Sequence, residues 1–291
     1  MKWLRWLRMI LAVLFLAASI AFLFTSGVLH NSASFAPKAQ IVPSALAVSM
    51  GITFFWLGVT LFVGRFYCSA ICPVGTLADL SMRLRRLLGK RFPALARRFP
   101  HLARPFRFKP ERPWRYHILV FYLLCLVFGI AAIPLARVVP YVLEPWNAMN
   151  NVSAVTHPDN LSLTWGTLGL GWGLGFALGL VMLLVVVVWA FFAGRDFCNT
   201  VCPIGSALGF VDKYSLLHIE IDPDRCISCM KCEEICRSSC VKVVSRYVDN
   251  SRCVRCLDCI CVCPVDAIRL QSNRNRPATP LLRHTRQAKA P

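Results

Sequence analysis

Three observations set the fold class: four apolar stretches long enough to cross a bilayer, a cysteine motif repeated beside two of them, and a cysteine-dense segment near the C-terminus. They predict a membrane α-helical domain of four transmembrane helices, built as a duplicated two-helix unit, followed by a small α+β domain. The expected boundaries are 1–210 for the membrane domain and 211–270 for the α+β domain. Residues 271–291 form a basic tail too poor in apolar residues to fold.

The chain of 291 residues is 56% hydrophobic yet carries a formal net charge of +19, and its mean hydropathy is +0.55. This combination suits a membrane protein with charged loops rather than a nucleic-acid binder. The apolar stretches run from about Met9 to Leu29, Ala45 to Val63, Ile118 to Ala136 and Leu168 to Ala193, against a need of about 20 residues per span. The first follows a basic start as a signal peptide would, but it exceeds the roughly 7 to 15 residues of a signal h-region. In the fourth, Gly171, Gly175 and Gly179 recur at four-residue intervals and predict close helix packing.

Lys and Arg placement predicts orientation. Lys2, Arg5 and Arg8 precede the first span, and the segment from Arg65 to Tyr116 carries thirteen basic residues against Asp79 and Glu111. The loops of residues 32–43 and 137–167 carry only Lys38 and Arg137. Positive charge stays on the cytoplasmic side, so both termini and the basic segment are expected there, facing anionic lipid headgroups. Of fifteen cysteines, none falls in the two outward loops, as expected if all the thiols stay on the reducing side.

The repeated motif reads Gly64-Arg-Phe-Tyr-Cys68-Ser-Ala-Ile-Cys72-Pro73-Val-Gly75-Thr76 after the second span. It recurs as Gly194-Arg-Asp-Phe-Cys198-Asn-Thr-Val-Cys202-Pro203-Ile-Gly205-Ser206 after the fourth. Each copy follows two spans, so the two units share an orientation and their cysteines should meet at the cytoplasmic face. Pro73 and Pro203 suit the first turn of a helix, whose amides would stabilise nearby thiolates. Cys68, Cys72, Cys198 and Cys202 could hold a further metal or iron-sulfur centre, act as redox-active dithiols, or pack at helix ends. The first reading is preferred because four converging thiolates are costly to leave unpaired.

The C-terminal segment carries Cys-x2-Cys-x2-Cys-x3-Cys twice, at Cys226, Cys229, Cys232, Cys236 and at Cys253, Cys256, Cys259, Cys263. Two-residue gaps let a tight loop wrap three thiolates round a cubane, and the fourth cysteine of each run ligates the other cluster in two-cluster folds. One 4Fe-4S cluster is therefore assigned to Cys226, Cys229, Cys232 and Cys263, the other to Cys253, Cys256, Cys259 and Cys236. Zinc sites or a disulfide framework fit this three-plus-one pattern less well. The second run ends in Cys263-Pro264, but Arg237 follows Cys236, which predicts a different turn there. Cys240 is read as a small core residue, and Cys125 and Cys261 as packing thiols.

This pattern resembles the NapH-type membrane polyferredoxins, over nearly the full length. The resemblance implies a ferredoxin-like double-cluster domain fixed at the cytoplasmic face of a bacterial inner membrane. It implies an electron-transfer subunit of a quinol-oxidising oxidoreductase, taking quinol as substrate and passing electrons to an iron-sulfur or reductase partner. The membrane core also resembles nitrous-oxide-reductase regulatory flavoproteins and cupric reductases, whose extra extracytoplasmic domain the short outward loops here cannot hold. A cupric reductase or metalloenzyme assembly factor is the alternative reading, and a redox-sensing regulator a third. Glu144, just beyond the third span, is the candidate proton acceptor of a quinol site; His157 is a weaker one.

Overall fold

A computed structural model describes residues 2–24, 32, 35–40, 50–99, 106–130, 139, 143 and 172–272. The chain is mostly helical. Helix α1 spans Lys2–Phe24. Its segment Trp3–Phe22 is, among the described residues, the one helical stretch long and apolar enough to cross a membrane. It begins at Lys2 rather than Met9, because the basic start continues the helix and turns Arg8 inward to a buried position. A single turn, α2 (Phe35–Lys38), precedes α3 (Met50–Val63). The third predicted span corresponds to α7 (Trp114–Ile130) and the fourth to α8 (Trp172–Ala193). Residues 144–171, including Glu144, His157 and Gly171, and the tail beyond residue 272 lie outside the described residues.

The basic segment between α3 and α7 is not a plain loop. It folds into α4 (Tyr67–Ala70), α5 (Pro73–Arg91) and α6 (Pro93–Arg98). The second motif copy repeats the pattern as α9 (Asp196–Thr200) and α10 (Pro203–Asp212). In both copies a glycine reverses the chain in the left-handed region, Gly64 at φ 92° and Gly194 at φ 70°, a conformation that disfavours a Cβ. In both, proline starts the following helix as expected.

These reversals carry the chain back alongside the apolar helices rather than leaving it at their ends. Tyr67 meets Trp56 edge-on, 5.1 Å between ring centroids, and Phe197 meets Trp189 at 6.1 Å. The copies then dock crosswise. Val74 and Leu77 at the start of α5 pack on Leu183 of α8, and farther along Arg85 donates to the carbonyls of Phe191 and Phe192 at 3.2 and 3.1 Å. Helices α5 and α8 are therefore parallel, with α5 beginning about ten residues, or roughly 15 Å, before the end of α8. Reciprocally, Ile204 and Leu208 of α10 join Trp56 and Leu57 of α3 in one apolar cluster.

The C-terminal part is a small α+β unit. Strand β1 (Leu217–Ile221) pairs antiparallel with β4 (Ile268–Ser272), and β2 (Val241–Lys242) with β3 (Tyr247–Val248). Between these pairs lie two short helices, α11 (Lys231–Ile235) and α12 (Asp258–Val262), each inside one cysteine run. Ile219, Ile221, Val241, Val243, Val248, Ile260 and Ile268 form its core together with several run cysteines.

Candidate functional site

The two cysteine runs are duplicates in backbone as well as in spacing. Left-handed residues fall at matched places: Ser228 and Arg255, Met230 and Leu257, Ser239 and Asp266, all with φ between 48° and 62°. Non-glycine residues rarely adopt this conformation, so both loops are wound tightly by the same device. Cys236 (φ −68°, ψ 110°) and Cys263 (φ −69°, ψ 117°) close α11 and α12 alike. Arg237 after Cys236 therefore makes the same turn that Pro264 makes after Cys263, contrary to the sequence expectation.

Within this unit Cys232, Cys236, Cys253 and Cys259 are buried together, with Cys226 and Cys263 packed against them. Burial pushes the Cys232 thiol up to about 11, with Cys226 and Cys229 adding to the rise. Cys259 is raised by burial and by Cys256, Cys253 and Cys236. The fourth cysteine of the first run thus lies among those of the second. Amide donors reach two run sulfurs: Cys240 N–H to Cys236 Sγ at 3.4 Å and Ala267 N–H to Cys263 Sγ at 3.2 Å. Cys240 is 2% exposed, a core residue as expected. Its Sγ also sits 3.5 Å from that of Cys236, and the thiol's hydrogen bond lowers Cys236.

The two Cys-x3-Cys-Pro motifs are brought together by their arginines. Arg65 Nη2 donates to the carbonyl of Cys198 at 3.3 Å, and Arg195 Nη1 to the carbonyl of Cys68 at 2.8 Å, so each copy grips the other. A Cβ at Gly75 would stand 2.3 Å from the Cys68 carbonyl oxygen, and one at Gly205 would stand 2.0 Å from that of Cys198. These glycines let the first turns of α5 and α10 lie against the opposite strand of each motif's own loop. Cys72 and Cys202 are the N-cap residues, and Cys202 Sγ accepts from Gly205 N–H at 3.5 Å.

A buried polar seam joins the motifs to the start of the second cysteine run and to the residues just after Cys236 of the first. Cys256 and Val254 belong to the same apolar cluster as Tyr67, Cys68 and Cys72. Arg65 Nη1 donates to the Ser251 carbonyl at 3.1 Å, Asn199 to that of Ser238 at 3.3 Å, and the Arg195 amide to that of Arg237 at 3.1 Å. Asp79 is the hub: it accepts from Arg195 at 2.8 Å and Arg237 at 2.7 Å, with Arg8 at 3.6 Å. Burial alone would raise its pKa, but Arg195, Arg237 and Arg8 hold it below the usual carboxylate value. Asp258 pairs with Arg237 at 2.6 Å and with Arg5 at 2.9 Å, tying the start of α1 to the C-terminal unit. Sequence reasoning missed this seam; the in-register Arg65 and Arg195 were its one visible sign.

Do these residues fit iron-sulfur clusters? Three features say so: two loops wound alike around grouped thiols, amide donors on sulfur, and burial of four run cysteines away from water. Among the described residues no three His, Cys, Asp or Glu side chains converge closely enough to hold a single metal ion. A cubane asks for a different spacing, since its four thiolates bind four different irons.

Comparison with known proteins agrees. A family described as a 4Fe-4S binding domain matches residues 46–91 and 175–220, the two motif regions, and a second of that description matches residues 246–269. The ferredoxin-type protein NapH of Haemophilus influenzae is 28% identical over 68% of this chain and 56% of its own length. Escherichia coli YccM is 26% identical over 68% and 48%. The methylamine utilization ferredoxin-type protein MauN of Paracoccus denitrificans is 27% identical over 67% and 56%. The chain thus spans about half the length of the curated relatives it matches, and no solved structure matches it. It is a 4Fe-4S protein of ferredoxin type, related to NapH, YccM and MauN.

Proposed function

We propose that the chain is a multi-pass membrane electron-transfer protein, relaying electrons between the quinol pool and a redox partner subunit. The observation that carries this reading is the seam itself, in which motifs folded back along apolar helices pack directly on Cys256 and Val254 of the second run. Bound clusters supply one-electron transfer; the chain's own residues hold the sites at a fixed separation and exclude water from them. In this reading the two runs hold two 4Fe-4S clusters with the crossed ligand sets, and the motif cysteines hold a third centre.

Four spans are supported by outward-facing apolar side chains on each helix, which would be costly in water. They include Val13 and Leu14 on α1, Phe54 and Phe55 on α3, Val120 and Phe121 on α7, and Leu184 and Val188 on α8. Placing the motifs at membrane depth is tolerable because irregular backbone there is buried in protein. The Arg5–Asp258 pair supports a cytoplasmic N-terminus on the same side as the C-terminal unit.

The test is anaerobic purification in native lipid, followed by addition of a quinol and EPR of the iron-sulfur signals. Reduction of the clusters by quinol is expected. Signals that dithionite elicits but quinol never does, with copper retained at the motif cysteines, would replace this reading with a metal-handling one.

A further inference from the structure

Arg65 and Arg195 occupy equivalent places in the two motif copies but have unequal company. Arg195 pairs directly with a carboxylate, Asp79 at 2.8 Å, which it shares with Arg237 and Arg8. Arg65 is 0% exposed, and its guanidinium meets only uncharged partners: Asn199 Oδ1 at 2.9 Å, the Ser251 and Cys198 carbonyls, and Cys68 Sγ at 3.9 Å. Its Nε has no partner among the described residues. Asp212, the acid that acts on it electrostatically, is itself paired with Arg255 at 3.0 Å. Among the described residues, then, Arg65 forms no ion pair with a carboxylate. A buried cation without a counter-ion is strongly destabilising, and the group beside it that can become anionic is the cysteine pair.

We infer that Arg65 is the counter-ion of a net-negative, thiolate-ligated centre held by Cys68, Cys72, Cys198 and Cys202, and that its charge sets that centre's reduction potential. This rests on the reading that the motif cysteines hold a third centre. Adding one electron there adds one negative charge, which a fixed guanidinium favours; net charge and hydrogen bonding to sulfur are what tune such potentials. Arg65 is a positioning residue as well, since the same guanidinium holds the Cys198 and Ser251 carbonyls. Neutral dithiols or inert packing thiols would leave its charge unanswered.

The experiment is a potentiometric EPR titration of the full chain in detergent, following the signal that a Cys68→Ser/Cys198→Ser variant abolishes. Arg65→Gln should lower the reduction equilibrium constant of that signal about tenfold, which is 59 mV for a one-electron couple. Arg65→Lys should keep it near the wild-type value. Asn199→Asp, which sets a carboxylate against Arg65 with little change of shape, should move it in the same direction as Arg65→Gln. An unmoved or raised potential in both Arg65→Gln and Asn199→Asp overturns the inference while leaving the third centre in place. If those two variants instead lose motif iron, rescue by Arg65→Lys supports the role of charge, and loss in Arg65→Lys as well contradicts it. A Cys68→Ser/Cys198→Ser variant that retains all iron and every signal removes the third centre, and the inference with it.

Discussion

The two cysteine runs share spacing, helix position and left-handed residues, yet their surroundings differ. In the first, Ile227 is 62% exposed and Cys229 is open to solvent. In the second, Val254 is 1% exposed and packs with Cys256 against the Cys-x3-Cys-Pro motifs. Local spacing dictates what a run can bind, whereas the neighbours it docks on decide whether its loop faces the Cys-x3-Cys-Pro motifs or the outside.

The sharpest way to break this contrast is to charge both loops. Val254→Asp buries a carboxylate in the apolar cluster and should destabilise the protein by about 4 kcal/mol or more, visible as loss of folded material in detergent. The hub comes next. Asp79→Ala leaves Arg195 and Arg237 without their shared carboxylate and should cost about 3 kcal/mol, read from thermal unfolding. Because the Asp79 pKa is lowered on folding, its contribution is present above the ordinary value of 3.8 and lost as pH falls through the lowered one. The gap between wild type and Asp79→Ala should therefore stay level down to about that pH and close below it.

Gly205→Ala is a narrower probe. Its Cβ would overlap the Cys198 carbonyl, so about 2 kcal/mol of destabilisation is expected; under the proposed third centre, iron should leave the motif cysteines before the runs, which Mössbauer spectra before and after mild heating would show. Smallest of all is Ile227→Asp in the first run, which should shift the unfolding midpoint by no more than about 0.5 kcal/mol permits. A large effect there would mean that the first run is as deeply engaged as the second.

How much of this was legible in the sequence follows from the range of each interaction. The paired runs, the proline-started helices and the motif duplication are set by residues within about a dozen positions, and all can be read directly. Crosswise docking is not, because Arg65 finds Cys198 and Arg195 finds Asp79 across more than a hundred residues. Nor does spacing reveal that α5 lies parallel to α8; that depends on the Gly64 reversal and on Arg85 reaching the α8 carbonyls. The turn at Arg237 was misjudged because proline favours that geometry without being required for it.

The central claim is that the cluster proposed for Cys253, Cys256, Cys259 and Cys236, not the one proposed for Cys226, Cys229, Cys232 and Cys263, adjoins the proposed motif centre, and the most direct test is magnetic. EPR power saturation of the fully reduced protein should be measured with and without the Cys68→Ser/Cys198→Ser change. The signal that Cys256→Ser abolishes should saturate more easily once the motif centre is gone, while the signal that Cys229→Ser abolishes should not move. A change confined to the Cys229-dependent signal, or none in either while motif iron is lost, would contradict the account.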